Sequence, residues 1–194
     1  EMVFHPQSDK KRRVGREALK EISRKLDRLT AEDFGVPQSK GMAEDIIEYT
    51  DVFATRNMII CIFKLPAGFQ LPMHDHPHMT VFSKVLWGQM EVEAYDRVEG
   101  EPKAFGLGER LQQIAGKVSQ DPFTVTPKRV KEVWTSSEGV QVTLPNDGNI
   151  HQFKAISACC VVDVLAPPYD FKRGRKCTYY DLIESGGTLK AKPV

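Results

Sequence analysis

Eight short β-rich runs, cut apart by Gly, Pro, Asn and Asp clusters, fill most of the chain beyond residue 45. They are Ile46–Phe53, Met58–Leu65, Thr80–Leu86, Met90–Tyr95, Phe123–Thr126, Val140–Leu144, Phe153–Ile156 and Cys160–Leu165. Strands this short, with turn signals at this spacing, predict an all-β sandwich or barrel. Trp87-Gly88-Gln89 reads as a tight hairpin between two of them. Ahead of the strands, Leu19, Ile22, Leu26 and Leu29 recur every three or four residues with charges between, which predicts an amphipathic helix over 16–29. That helix is expected to dock outside the barrel, giving an extension over 1–45 and a principal domain over 46–194.

Bulk properties narrow the function classes. The 194 residues suffice for one domain with a sizeable core. A net charge of +1 argues against nucleic acid as partner, and no apolar run is long enough to span a membrane. Lys10-Lys11-Arg12-Arg13 reads as an exposed basic face or, less specifically, a nuclear address. Four irregularly spaced cysteines (Cys61, Cys159, Cys160, Cys177) without a CxxC pair predict free thiols in a reducing compartment. The cytoplasm is expected, with the nucleus second. Residues 100–118 form a polar, Gly-rich insertion with no assignable structure.

The chemistry concentrates in Gly68–Gly88, where His74-Asp75-His76 places two imidazoles two residues apart in an extended segment. On a strand such residues share a face, so both rings can meet one metal ion. His151 lies downstream, and His78 is a rival by parity, although Pro77 breaks the strand pattern between them. His78 is expected at the rim instead.

Gly68, five residues, His74-Asp75-His76, four residues to Val81, six residues and Gly88 reproduce the frame of the first cupin motif. Gly139 and the run Pro145–His151 resemble the second, with one extra residue before Gly148. The departure is Val81, where the motif carries a glutamate. Three neutral imidazoles leave a divalent ion its full charge, which favours an anionic ligand and holds a bound thiol as thiolate. The runs within Ile59–Tyr95 and Gly139–Tyr180 further resemble the plant cysteine oxidases and cysteamine dioxygenases.

That resemblance implies a cupin double-stranded β-helix with a short N-terminal helical segment. It also implies iron(II) held by His74, His76 and His151, with Asp163 and Tyr169 near the substrate. The implied activity is a monomeric dioxygenase that uses O2 to convert an N-terminal cysteine of a protein or peptide to its sulfinic acid, sensing oxygen in an N-degron route. Cysteamine or free cysteine is the small-thiol alternative. A zinc cupin activating water and a non-catalytic binding cupin are the others. Cys177 and Tyr179 match a pair that becomes cross-linked in the cysteamine dioxygenase branch, although ordinary packing also explains them. Asp163, inside an apolar run, is either half of an internal ion pair or a group that orients a substrate amine and moves its proton. His78 stands where the plant enzymes are expected to have glycine.

Overall fold

The computed structural model describes residues 15–98 and 121–194. The basic run at 10–13 and the insertion at 100–118 lie outside them. One helix, α1 (Arg16–Asp27), precedes eleven strands: β1 (Glu48–Ala54), β2 (Ile59–Leu65), β3 (Gln70–His74), β4 (Thr80–Trp87), β5 (Gln89–Arg97), β6 (Phe123–Thr135), β7 (Gln141–Thr143), β8 (Ile150–Ala155), β9 (Cys159–Ala166), β10 (Tyr180–Ser185) and β11 (Thr188–Pro193).

The strands form two antiparallel sheets, in the orders β1-β2-β9-β4-β7 and β10-β11-β6-β5-β8-β3. Strands β2-β9-β4-β7 stacked on β6-β5-β8-β3 constitute the jelly-roll arrangement of a cupin double-stranded β-helix. Between the sheets pack Leu65, Val85, Met90, Val92, Trp134, Phe153, Ala155, Cys159 and Val161. Alternation along β9 sends Cys160, Val162 and Val164 to the opposite side, against Leu26 of α1 and Phe82. Neighbouring Cys159 and Cys160 thus face opposite ways, and all four cysteines are free thiols.

Trp87-Gly88-Gln89 is not a hairpin. It carries the chain from one sheet to the other, since β4 and β5 lie in different sheets. Gly88 has φ +81, and a Cβ there would run into the Ala158 carbonyl and Cys159, so only glycine fits the crossing. Three further departures concern strands that the runs of β-rich residues do not mark out. The predicted strand at Phe123–Thr126 extends to Thr135 along β5. The C-terminal β10–β11 hairpin packs Tyr180, Leu182, Leu189 and Ala191 beside Met73, Tyr95, Phe123 and Ile150. Strand β3 lies at a sheet edge, where Pro72 forfeits no ladder hydrogen bond.

The helix docks through its C-terminal end, with Leu26 buried while Ile22 and Leu29 remain exposed. It is shorter than its apolar periodicity suggests, because Lys84 of β4 captures its end. The buried Lys84 ammonium donates to the carbonyls of Asp27 at 2.7 Å, Leu29 at 2.6 Å and Leu26 at 3.4 Å. A cation here meets the negative end of the helix dipole and the orphaned last carbonyls. Asp27 Oδ1 accepts the Val140 N–H at 2.7 Å, and Trp87 Nε1 donates to the Val36 carbonyl at 2.8 Å. The N-terminal segment is thereby pinned to the outer face of the five-stranded sheet. No described helix is long and apolar enough to cross a membrane.

Candidate metal centre

His74 closes β3, His76 lies two residues beyond that strand's end, and His151 is the second residue of β8. His74 and His151 are direct antiparallel partners. The three rings meet with centroids 4.9 Å apart in every pair, and one nitrogen from each lies within 4.8 Å of the others. His76 and His151 are 3 % and 2 % exposed. Burial, reinforced by the neighbouring rings for the latter two, lowers the pKa of His74 and holds His76 and His151 well below the ordinary histidine range. All three are neutral near pH 7.

Their Nδ1 partners define the tautomers. His74 Nδ1 faces the Pro72 carbonyl at 2.8 Å, and His151 Nδ1 faces the Gly148 carbonyl at 3.2 Å. A carbonyl only accepts, so each Nδ1 carries the proton. His76 Nδ1 lies 2.7 Å from the Tyr169 hydroxyl, whose own proton goes to the Asp75 carbonyl at 2.8 Å. The phenol oxygen therefore accepts from His76 Nδ1–H. Every Nε2 is left with a bare lone pair, and those of His76 and His151 stand 3.0 Å apart. Neither has a proton to share, so this contact is repulsive until a cation lies between them. Two bare nitrogens at this separation would both reach one divalent ion. The donor set fits a divalent transition metal, and its Nδ1 partners orient the rings as outer groups do in metal sites.

The surrounding groups lock this arrangement. Asn149 grips the His76 backbone at both ends: its Oδ1 accepts the N–H at 3.1 Å and its Nδ2 donates to the carbonyl at 2.9 Å. Asp75 reaches the C-terminal strap, accepting from the Thr178 N–H and the Tyr180 hydroxyl, both at 2.9 Å. Gly148, φ +69, donates its N–H to Asp96 Oδ1 at 2.6 Å, and a Cβ there would collide with the Arg129 guanidinium. These residues were not assigned roles from sequence. Asn149 and Gly148 sit inside the matched motif, but their partners lie on other elements.

Val81, in place of a carboxylate, is fully buried with Cys61, Met79 and Leu165. His78 stays outside the cluster. It is exposed, with φ +59 in the turn closed by the Met79 N–H on the His76 carbonyl at 3.1 Å. A glycine would adopt that conformation without strain.

Asp163 faces the interior on β9, 6 % exposed, within a cross-strand polar row Asp51, Cys61, Asp163, Ser83 and Gln141. The ion-pair alternative finds no basic partner for Asp163 among the described residues. Oδ1 has no hydrogen-bond partner, and burial, partly offset by Ser83, pushes the carboxyl up to about 6. Tyr169 lies close enough for Asp163 to raise its pKa, although burial dominates that shift. Tyr169 meets the cluster through His76. The Cys177 thiol is flanked by Tyr169 and Tyr179, and burial pushes its pKa up. Tyr179 forms an isolated bridge with His74.

The PCO_ADO family profile matches residues 12–192. Plant cysteine oxidase 2 of Arabidopsis thaliana is 36% identical over 163 residues, covering 80% of this chain and 54% of that protein. The 2-aminoethanethiol dioxygenase of Homo sapiens is 26% identical over 179 residues, covering 87% and 66%. The chain spans about half the length of the plant relatives it matches. Among solved structures, a Klebsiella pneumoniae protein with a double-stranded β-helix domain aligns with TM-score 0.41 and 15% identity, over 78% of this chain and 96% of that one. An RmlC-like cupin from Desulfovibrio desulfuricans aligns with TM-score 0.38 and 20% identity, over 66% and 92%.

Proposed function

The chain belongs to the PCO_ADO family, and on that premise we propose that it is an iron(II)-dependent thiol dioxygenase. Its substrate in this reading is the N-terminal cysteine of a protein or peptide, oxidised to cysteine sulfinic acid. Three neutral imidazoles whose bare Nε2 lone pairs converge carry the proposal. His74, His76 and His151 would hold the metal, with 46–194 as the catalytic unit and 1–45 as its extension.

Converting R–SH and O2 to R–SO2H takes four electrons from sulfur and gives four to dioxygen, so no external reductant enters. The bound ion would supply a thiolate-stabilising charge and an open position for dioxygen. Tyr169 and Asp75 keep His76 in the tautomer that presents Nε2. Asp163, with an unpartnered oxygen and a pKa near neutrality, is suited to accept a hydrogen bond from the substrate amine and to take up or release a proton. An N-terminal cysteine presents its thiol and amine two carbons apart, as cysteamine does. Small thiols are therefore the second reading, favoured by the names of some relatives. Oxidation of a protein N-terminus would couple the centre to oxygen supply through the N-degron route. The free cysteines support a reducing compartment such as the cytoplasm.

The test is anaerobic loading with iron(II), then admission of air, with a Cys-initiated peptide followed by mass spectrometry. Two added oxygens on the N-terminal cysteine support the proposal. Oxidation of cysteamine with an untouched peptide moves the substrate to small thiols. Activity with zinc alone contradicts a redox centre, and full function in His151→Ala contradicts a catalytic metal.

A further inference from the structure

The loop that leaves the histidine cluster at Tyr169 and returns at Cys177 carries charge the cluster does not use. Its residues 170–176 are Asp170-Phe171-Lys172-Arg173-Gly174-Arg175-Lys176, four cations to one carboxylate. The backbone is closed on itself. Asp170 N–H donates to the Arg175 carbonyl at 2.8 Å, and Arg175 N–H returns to the Asp170 carbonyl at 2.9 Å. Asp170 also accepts the Arg173 N–H on its side chain at 3.2 Å.

The single acid is already engaged, lying 3.5 Å from Arg173 and 3.6 Å from Arg175. Arg175 is further occupied by its Nε bond to the Pro168 carbonyl at 2.8 Å. Left facing solvent are Lys172, Lys176, the Arg173 side chain at 69% exposure and Phe171 at 65%.

A basic run on a flexible tail would be merely solvated. This one is held in shape, and both its feet stand on the histidine cluster. Tyr169 contacts His76 at one foot, and at the other Tyr179 bridges to His74. A closed turn of this length rises about three residues, or ~10 Å, above its feet. An extended substrate whose first residue sits at the cluster reaches that height with roughly its third to sixth residues.

We propose that this loop docks acidic side chains at about those positions of the peptide substrate, with Phe171 covering an adjacent apolar side chain. The inference rests on the reading of the centre as an N-terminal cysteine dioxygenase and adds a substrate class to it. Lys172, Arg173 and Lys176 supply the complementary charge, which acts on encounter and selectivity and weakens with salt.

The test compares two labelled Cys-initiated peptides that differ only in acidic versus neutral residues at the third to sixth positions. Binding is read by fluorescence anisotropy with anaerobic protein, and oxidation by mass spectrometry in air. The acidic peptide is expected to bind about tenfold more tightly at low ionic strength. That advantage disappears at high salt and in Lys172→Glu/Lys176→Glu, and it persists in Lys172→Arg/Lys176→Arg. Equal affinities, with both peptides oxidised, overturn the inference and leave the dioxygenase reading standing. Oxidation of cysteamine but of neither peptide overturns that reading and the inference with it. Equal peptide affinities, together with phosphatidylserine vesicle binding lost in the charge-reversed variant, overturn it in favour of a lipid surface.

Discussion

The hydroxyl of Tyr169 accepts the Nδ1 proton of His76 across 2.7 Å while giving its own proton to the carbonyl of Asp75. One phenol thereby fixes both the tautomer of a buried imidazole and the backbone between two of the three histidines. It makes Tyr169 a positioning residue, whose loss should register in metal binding.

Tyr169→Phe keeps the ring and removes the acceptor. Metal affinity is expected to fall by about 10–100-fold, with thermal stability of the metal-free protein little changed. Competition against a chromophoric chelator measures it. Unchanged affinity would mean that Asn149 and burial alone orient His76.

Asp163 should leave a signature in the pH dependence of stability. Folding raises its pKa from 3.8 to about 6, so the folded chain keeps a proton that the unfolded chain releases. Between about pH 4 and 6 the unfolded state holds less of this proton, so the Asp163 contribution to stability falls as pH rises and levels off above that window, against the opposite trend from the three buried histidines. The shift corresponds to roughly 3 kcal/mol. Asp163→Asn is expected to remove this decline, raising stability at pH 7.5 relative to pH 4 while lowering thiol oxidation. Denaturant titrations at the two pH values test it, and parallel behaviour of variant and parent would contradict it.

Lys84→Met should uncouple the N-terminal segment. Without the ammonium, the carbonyls of Leu26, Asp27 and Leu29 lose a buried donor, costing about 2–3 kcal/mol. Limited proteolysis is expected to cut within residues 16–42 before the barrel. Cleavage rates equal to the parent's would show that apolar contact through Leu26 suffices.

The spacing of His74 and His76 in an extended segment made that pair legible in sequence, and the resemblance to the second cupin motif added His151. Val81 was equally readable as the missing carboxylate. The sheet crossing at Gly88 was not, since a short Gly turn between apolar runs looks the same whether the chain folds back or passes to the other sheet. Asp75, Asn149 and Tyr169 owe their roles to partners on other elements, such as Thr178, His76 and Asp75 itself. No local pattern marks such pairings. Asp163 fell between, its oddity visible inside an apolar run, its want of a cation visible only in the fold.

The most direct measurement uses isotope-labelled dioxygen with the iron(II)-loaded protein and a Cys-initiated peptide, reading the sulfinic acid by mass spectrometry. If His74, His76 and His151 hold a dioxygen-activating iron, both new oxygen atoms carry the label, and His151→Ala yields none. Oxygen drawn from unlabelled water, or labelled product undiminished in His151→Ala, would contradict it.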